Sequence, residues 1–218
     1  MSDANPTRSA VIEMKDERTA MHEGYAFLDE KCLLLAGEIL RELERYRRLR
    51  HDFVTLQDAA SKALREAVLR HGLEGLQVYP PADLALAQLR VSARSLMGVR
   101  LQTAELDARA PAVPQAVDRS PEAEACRRAF AAVLTAAAPL AAVSSNLERL
   151  SLEYRRSVRR ARALQDVMLP ELEQSIYEIE NRLEELEQED AIWMRSAAVD
   201  VEPARPKARG DARSGVVP

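Results

Sequence analysis

The chain has 218 residues, of which 30% are charged and only 4% aromatic, with a formal net charge of −4. That length allows one or two ordinary domains, and the near balance of charge excludes a nucleic-acid binder working through a dominant positive field. Seven glycines and an excess of Ala, Leu, Glu and Arg favour long helices over sheet. The two cysteines, Cys32 and Cys126, make no metal-binding or redox spacing and fit a reducing cytoplasm.

The first ten residues are polar and predict no signal peptide. Ser2, Asp3 and Asn5 are candidate caps, and Pro6 suits a first helical turn. From Val11 an apolar stripe then steps alternately by three and four: Val11, Met14, Arg18, Met21, Tyr25, Leu28, Cys32, Leu35, Ile39, Glu42, Tyr46, Leu49, Phe53, Leu56, Ala60, Ala63, Ala67, Arg70. Only Arg18, Glu42 and Arg70 break it. A 3.5-residue repeat demands a partner helix wound with a left-handed supercoil, so the sequence predicts a rod-length helix. Over about sixty residues it would extend roughly 90 Å. Cys32 lies in that seam, where it reads as a small buried hydrophobe. His71-Gly72 is expected to end the helix, Gly72 supplying a left-handed conformation. Gly75 and Pro80-Pro81 keep the following chain irregular.

The period then changes to two. Leu89, Val91, Ala93 and Ser95 alternate with Arg90, Ser92 and Arg94, and Val99, Leu101 and Thr103 alternate with Arg100 and Gln102. Two strands joined around Leu96-Met97-Gly98 predict a β-hairpin, which must lean on the helices or on another protein because an isolated one is marginal in water. Pro111, Pro114 and Pro121 mark a linker over residues 107–121. Ser120-Pro121-Glu122-Ala123-Glu124 is a helix start with Ser120 as cap. Pro139 is expected to break or kink that helix. The uncharged run Ala129 to Leu147 approaches a membrane span in length but is read as falling short in hydrophobicity, so a helix entry or interface is expected and no direct membrane insertion.

A second long helix is predicted from about Val143 to Trp193. Its stripe is Leu147, Leu150, Tyr154, Val158, Ala161, Gln165, Met168, Leu172, Ile176, Ile179, Leu183, Leu186, Asp190 and Trp193. Two stutters, at Leu150–Tyr154–Val158 and Met168–Leu172–Ile176, relax the twist, and Pro170 beside the second should bend the helix. After Ser196, prolines, glycines and scattered charges predict a disordered tail.

The fold class is therefore mainly α: a long antiparallel two-helix left-handed coiled coil, with a small middle head containing a β-hairpin and a short helix, and a disordered C-terminal tail. The expected division is 6–71 for the N-terminal helix, 72–142 for the head (hairpin about 88–105), 143–195 for the C-terminal helix and 196–218 for the tail. The first and last thirds should lie head to tail, with Leu35 and Leu172 in one body. If Val11 faces Trp193, paired positions sum to roughly 204 and Glu42 faces Arg162 as a partly buried ion pair or, equally, the two reach solvent separately.

Pro6-Thr7-Arg8, Lys15, Gly24-Tyr25, Leu28 and Lys31 resemble the opening of the D subunit of V-type and archaeal A-type ATPases. Ser95-Leu96-Met97-Gly98-Val99 looks like that family's middle segment. Arg159-Arg160-Ala161-Arg162-Ala163-Leu164, Pro170 and the run Ile176 to Leu183 resemble its C-terminal helix. These motifs come in order and cover nearly all of residues 6 to 193. The resemblance implies a central rotor shaft carrying torque between ATP chemistry and proton or sodium flow. Its implied partners are the alternating catalytic and non-catalytic subunits of the ring (A and B), a small F subunit, and a funnel-shaped protein linking the shaft to the membrane ring. It implies a cytoplasmic place, peripheral to the membrane. Arg18, Met21, Cys32 and Arg162 depart from the family pattern, which shows leucine, alanine, arginine and asparagine there. So does the reduced basic-aromatic stretch Ala191-Ile192-Trp193-Met194-Arg195.

No catalytic, cofactor-binding or metal-ligating residues are expected. There is no phosphate-binding G-x-x-x-x-G-K-[ST] and no H-E-x-x-H, and His22, His51 and His71 read as separate exposed helix histidines. Asp166 with Glu171 reads as a pair of ordinary exposed acids. Arg155, Arg156, Arg159, Arg160 and Arg162 form a basic belt, followed by nine acids between Glu171 and Asp190 with only Arg182 as a base. These are solvated faces or levels at which a shaft meets its ring. A generic coiled-coil scaffold and an F-type γ-like shaft are the alternatives.

Overall fold

The computed structural model describes residues 7–77, 79, 87–107 and 120–200, the side chains of 197–200 excepted. In chain order the elements are α1 (Arg8–Gln77), β1 (Gln88–Leu96), β2 (Val99–Asp107), α2 (Pro121–Ala163), a π-helical turn (Leu164–Met168) and α3 (Leu169–Asp200). The candidate caps at residues 2–6, the prolines at 80–81, 111 and 114, and the tail beyond 200 lie outside the described residues. The expected tail instead begins as helix, because α3 continues past Ser196 to Asp200.

Thr7 caps α1: its hydroxyl accepts the Ala10 N–H at 3.3 Å, a cap that lies downstream of the candidates Ser2, Asp3 and Asn5. Every predicted seam position from Val11 to Ala67 is buried or half-buried, including Arg18 and Glu42, whereas Arg70 is exposed. Gly72 leaves helical geometry at φ 69° and ψ 169°, a region closed to residues with a Cβ. The long helix therefore ends at Gly72 as expected, and a short second helical stretch follows it to Gln77 within the span of α1.

The described residues form two compact units, 7–22 with 166–200, and one drawn from 23–165. In the first, Val11 packs with Leu172 and Ile176, flanked by Met14, Met21, Ile179 and Leu183. Arg8 pairs with Glu187, and Lys15 pairs with Glu180 at 2.6 Å. Ascending numbers on α1 meet descending ones on α3, so the pairing is antiparallel. Trp193 is 73% exposed and does not face Val11.

In the second unit Leu35, Val99, Leu101 and Leu150 make the core, with Ile39, Leu96 and Tyr154 against it. Leu35 and Leu150 are fully buried, each worth about 1.5–3 kcal/mol of apolar transfer. Lys31 reaches Glu153 at 2.6 Å, again antiparallel. Leu35 and Leu172 thus fall in different units, contrary to expectation, each with its own partner from the opposite third of the chain.

β1 and β2 form a two-stranded antiparallel sheet paired from Gln88–Asp107 to Leu96–Val99 without a bulge. The Met97-Gly98 turn has positive φ at both residues, 47° and 85°, which is the I′ geometry that matches strand twist. α2 starts where predicted, with Ser120 accepting the Ala123 N–H and Pro121 in the first turn. It runs unbroken through Pro139, so the separate short helix and the later start near Val143 are not observed. Burial of Ala142 and Val143 just beyond holds the helix through the missing hydrogen bond. An eighteen-residue window within Pro121–Ser196 has a mean hydropathy of 1.5, apolar enough by composition to cross a membrane, which corrects the reading that it falls short.

Pro170 sits just past the π-helical turn. It has no N–H for the Asp166 carbonyl, and its ring crowds that carbonyl; a turn widened by one residue relieves both. The extra residue also rotates the face. Met168 is exposed and Leu169 is buried in its place. Gln165, Leu186 and Asp190, assigned to the stripe by the sequence, are exposed as well.

Candidate interaction surfaces

The second unit's head is built on polar contacts as much as on its core. Glu38 on α1, its side chain only 6% exposed, takes Arg94 of β1 and, at 3.4 Å, Arg41. Asn146 on α2 is 1% exposed and bonds one residue of β2 twice. Its Oδ1 accepts the Gln102 N–H and its Nδ2 donates to the Gln102 carbonyl, both at 2.8 Å. Arg149, one turn on, donates to the Arg100 carbonyl and to Gln102 Oε1, each at 3.0 Å. The α2 side chains thereby imitate a third strand along β2. Asn146 is a structural anchor that the motifs do not reveal; its signal in the sequence is an amide inside an apolar helical run.

Lys31 and Glu153 pair where both are mostly buried, side chains 13% and 23% exposed. The Lys31 hydrogen bond holds the Glu153 carboxyl below its ordinary range, with further help from the charges of Lys31, Arg156 and Arg160. The expected Glu42–Arg162 pair does not form. Glu42 is 5% exposed, lies 3.9 Å from Arg45, and keeps Oε2 without a hydrogen-bond partner. Arg162 lines a cleft of about 270 Å³ with Tyr25, Asp29, Cys32 and Tyr154. Two departures from the family pattern, Cys32 and Arg162, therefore share one cleft. Burial, then the Asp29 charge, pushes the Cys32 thiol up.

His71 is not a free helix histidine. Its Nε2 lies 2.6 Å from the Ser120 hydroxyl, and its ring meets Tyr79 edge-on at 5.6 Å. Ser120 also donates to Glu122 at 3.1 Å. The Glu122 carboxyl is held below its usual range by its own backbone N–H first and the Ser120 hydroxyl second. These contacts tie the end of α1 to the start of α2.

Arg155, Arg156, Arg159, Arg160 and Arg162 are all exposed, and none forms an ion pair among the described residues. Of the nine acids, Glu180 and Glu187 pair with α1, and the other seven form no ion pair among the described residues. Asp166 and Glu171 are exposed. Among the described residues no group of three or more His, Cys, Asp or Glu side chains comes together to hold a metal ion. What the arrangement offers is surface: an unpaired basic belt, a hairpin face and an acidic run.

A family model for the ATP synthase D subunit matches residues 10–198. The V-type ATP synthase D subunit of Thermotoga neapolitana is 24% identical over 191 residues, covering 87% of this chain and 94% of that protein. The A-type ATP synthase D subunit of Methanopyrus kandleri is 28% identical, covering 89% and 85%. The V-type counterpart of Anaeromyxobacter dehalogenans is 29% identical, covering 89% and 95%. With a match across most of its length, and with its first and last thirds paired antiparallel in each unit, the chain belongs to the family of ATP synthase D subunits.

Proposed function

We propose that this chain is the non-catalytic central rotor shaft of a V/A-type ATP synthase, passing torque between the catalytic ring and the membrane ion-translocating ring. The observation that carries the reading is the family match over residues 10–198. In support, each unit joins the first third of the chain to the last by an apolar seam flanked by ion pairs. Knobs seated in holes resist the sliding that torque imposes. Residues 6–71 and 143–195 would make the shaft and residues 72–142 the head. The partners would be the A and B subunits of the ring, the small F subunit and the funnel-shaped protein, with the complex cytoplasmic and peripheral to the membrane.

A shaft that turns must not settle in one deep well. Exposed charge contacts of about 0.2–1 kcal/mol each suit that need, and the unpaired Arg belt offers them to acidic loops of the ring. The combined reversal Arg155→Glu, Arg156→Glu and Arg159→Glu should lower coupled turnover of the assembled complex while leaving the chain folded. Unchanged coupling rejects the belt contact, and failure of the wild-type chain to copurify with the ring proteins rejects the shaft.

A further inference from the structure

The far end of α3 outruns its partner helix. α1 begins at Arg8, whose guanidinium meets Glu187, and α3 continues from there to Asp200, about 20 Å further at the usual helical rise. Leu186 and Trp193 are seven residues apart and share one face of that end, with Glu189 and Asp190 between them on the same side. Trp193 is 73% exposed and Leu186 46%. Glu184, Glu185, Glu189 and Asp190 form no ion pair among the described residues.

We propose that residues 201–218, which follow directly on α3, fold back over this face and cover it in the free chain. Charge selects the occupant. Residues 201–218 carry Arg205, Lys207, Arg209 and Arg213 against Glu202 and Asp211, the reverse of the acidic helix that precedes them. Reach allows it. Trp193 lies about 10 Å, and Leu186 about 21 Å, back along the helix from Asp200. Arg205, Lys207 and Arg209 stand five, seven and nine residues past Asp200, and extended chain spans up to about 17, 23 and 30 Å over those lengths. Pro203, three residues past the helix, favours the turn back. The face suits these side chains, because a guanidinium stacks on an indole ring while its N–H groups meet a carboxylate one turn away. Their aliphatic stems cover apolar surface and leave the charged heads in water. Weak contacts suffice, since the tether holds the segment at a local concentration on the order of millimolar. A second copy fits less well: one α3 end laid on another sets carboxylates against carboxylates. The inference concerns the free chain and does not rest on the shaft assignment. A protein that uses this end of α3 must first displace the segment.

Trp193 is the only tryptophan of the chain, so its fluorescence reports on this face alone. The test is acrylamide quenching of the full-length chain beside a full-length variant carrying Arg205→Glu, Lys207→Glu and Arg209→Glu. Acrylamide is uncharged, so the comparison follows access to the ring and not the local field. At low salt the reversed variant should be quenched at least twofold more strongly than wild type. Salt at about 0.5 M should raise quenching of wild type toward the variant and leave the variant unchanged, because exposed charge contacts are screened. Adding Glu189→Lys and Asp190→Lys to the reversed variant should restore protection of Trp193, which a general loss of structure could not do. Equal quenching of wild type and the reversed variant, no restoration in the charge swap, or protection that disappears on dilution, the sign of a second copy on the face, would overturn the proposal.

Discussion

Asn146→Ala tests whether α2 really serves as the third strand of the head. The substitution removes two 2.8 Å bonds and leaves the N–H and C=O of Gln102, a half-buried residue, without partners. An abandoned buried polar group costs about 1–3 kcal/mol, and partial access of water to Gln102 puts the pair near the lower half of the summed range, about 3 kcal/mol. Arg149 still holds Arg100, so the hairpin stays attached at its turn end and opens from the other. The assay is amide exchange at Gln102 and Thr103, with urea unfolding as a second readout. About 3 kcal/mol corresponds to exchange faster by on the order of a hundredfold at Gln102, while Leu35 and Val143 amides change little. Asn146→Asp keeps the acceptor but sets a carboxylate against the Gln102 carbonyl, and should do no better than alanine. A loss below about 0.5 kcal/mol in Asn146→Ala, with Gln102 exchange unchanged, would refute the strand-mimic reading.

Met97→Asn should stabilise the hairpin by roughly 0.5–1 kcal/mol, because asparagine tolerates the positive φ that Met97 adopts at 47° and Asn-Gly is the favoured I′ pair; a thermal melt with an unchanged or lower midpoint contradicts it. Leu35→Ala empties a fully buried position against Leu150 and Leu101 and should cost about 2–5 kcal/mol in urea unfolding. The Glu153 carboxyl titrates below its ordinary value of 4.5, chiefly through Lys31. A depressed folded pKa means the pair's stabilisation is complete above about pH 4.5 and is lost as pH falls through the lower folded value. Lys31→Met should return the Glu153 titration, followed by NMR, toward the ordinary range.

The parts of this fold that are legible in the sequence are those whose signal is local. The 3–4 stripe of α1 needs only periodicity, the Ser120 cap only five consecutive residues, and the hairpin only a change of period around Met97-Gly98. Pro139 misleads because its local cost, one backbone hydrogen bond, is outweighed by packing of the following Ala142 and Val143 against the rest of the unit. His71 misleads because its partner Ser120 is far away in sequence. Pro170 does mark an irregularity in the helix, but a π-helical turn adds a residue to the register without changing composition. The stripe beyond it therefore reads onto Met168 when Leu169 faces inward.

Register is illegible for a deeper reason. A seam repeating every seven residues looks nearly the same after a slide of seven, so apolar periodicity fixes that two helices pair and leaves open which residues meet. Only groups that break the repeat can choose. Glu42 and Arg162 are the charged residues that stand out for this purpose in the sequence. The groups that choose are others: Lys31 with Glu153 in one unit and Lys15 with Glu180 in the other, while Asn146, through its two bonds to Gln102, fixes α2 against β2. Glu42 remains in the seam with an oxygen unpaired, a cost the fold accepts where Leu35 and Ile39, in the two preceding turns, bury their side chains on the same stripe. A Glu42→Gln chain should keep the same register, since the residues that set it lie elsewhere. The Glu153 titration, still held below its ordinary range by Lys31, would report this, and its return to the ordinary range on a slide of one heptad would give the register role back to Glu42.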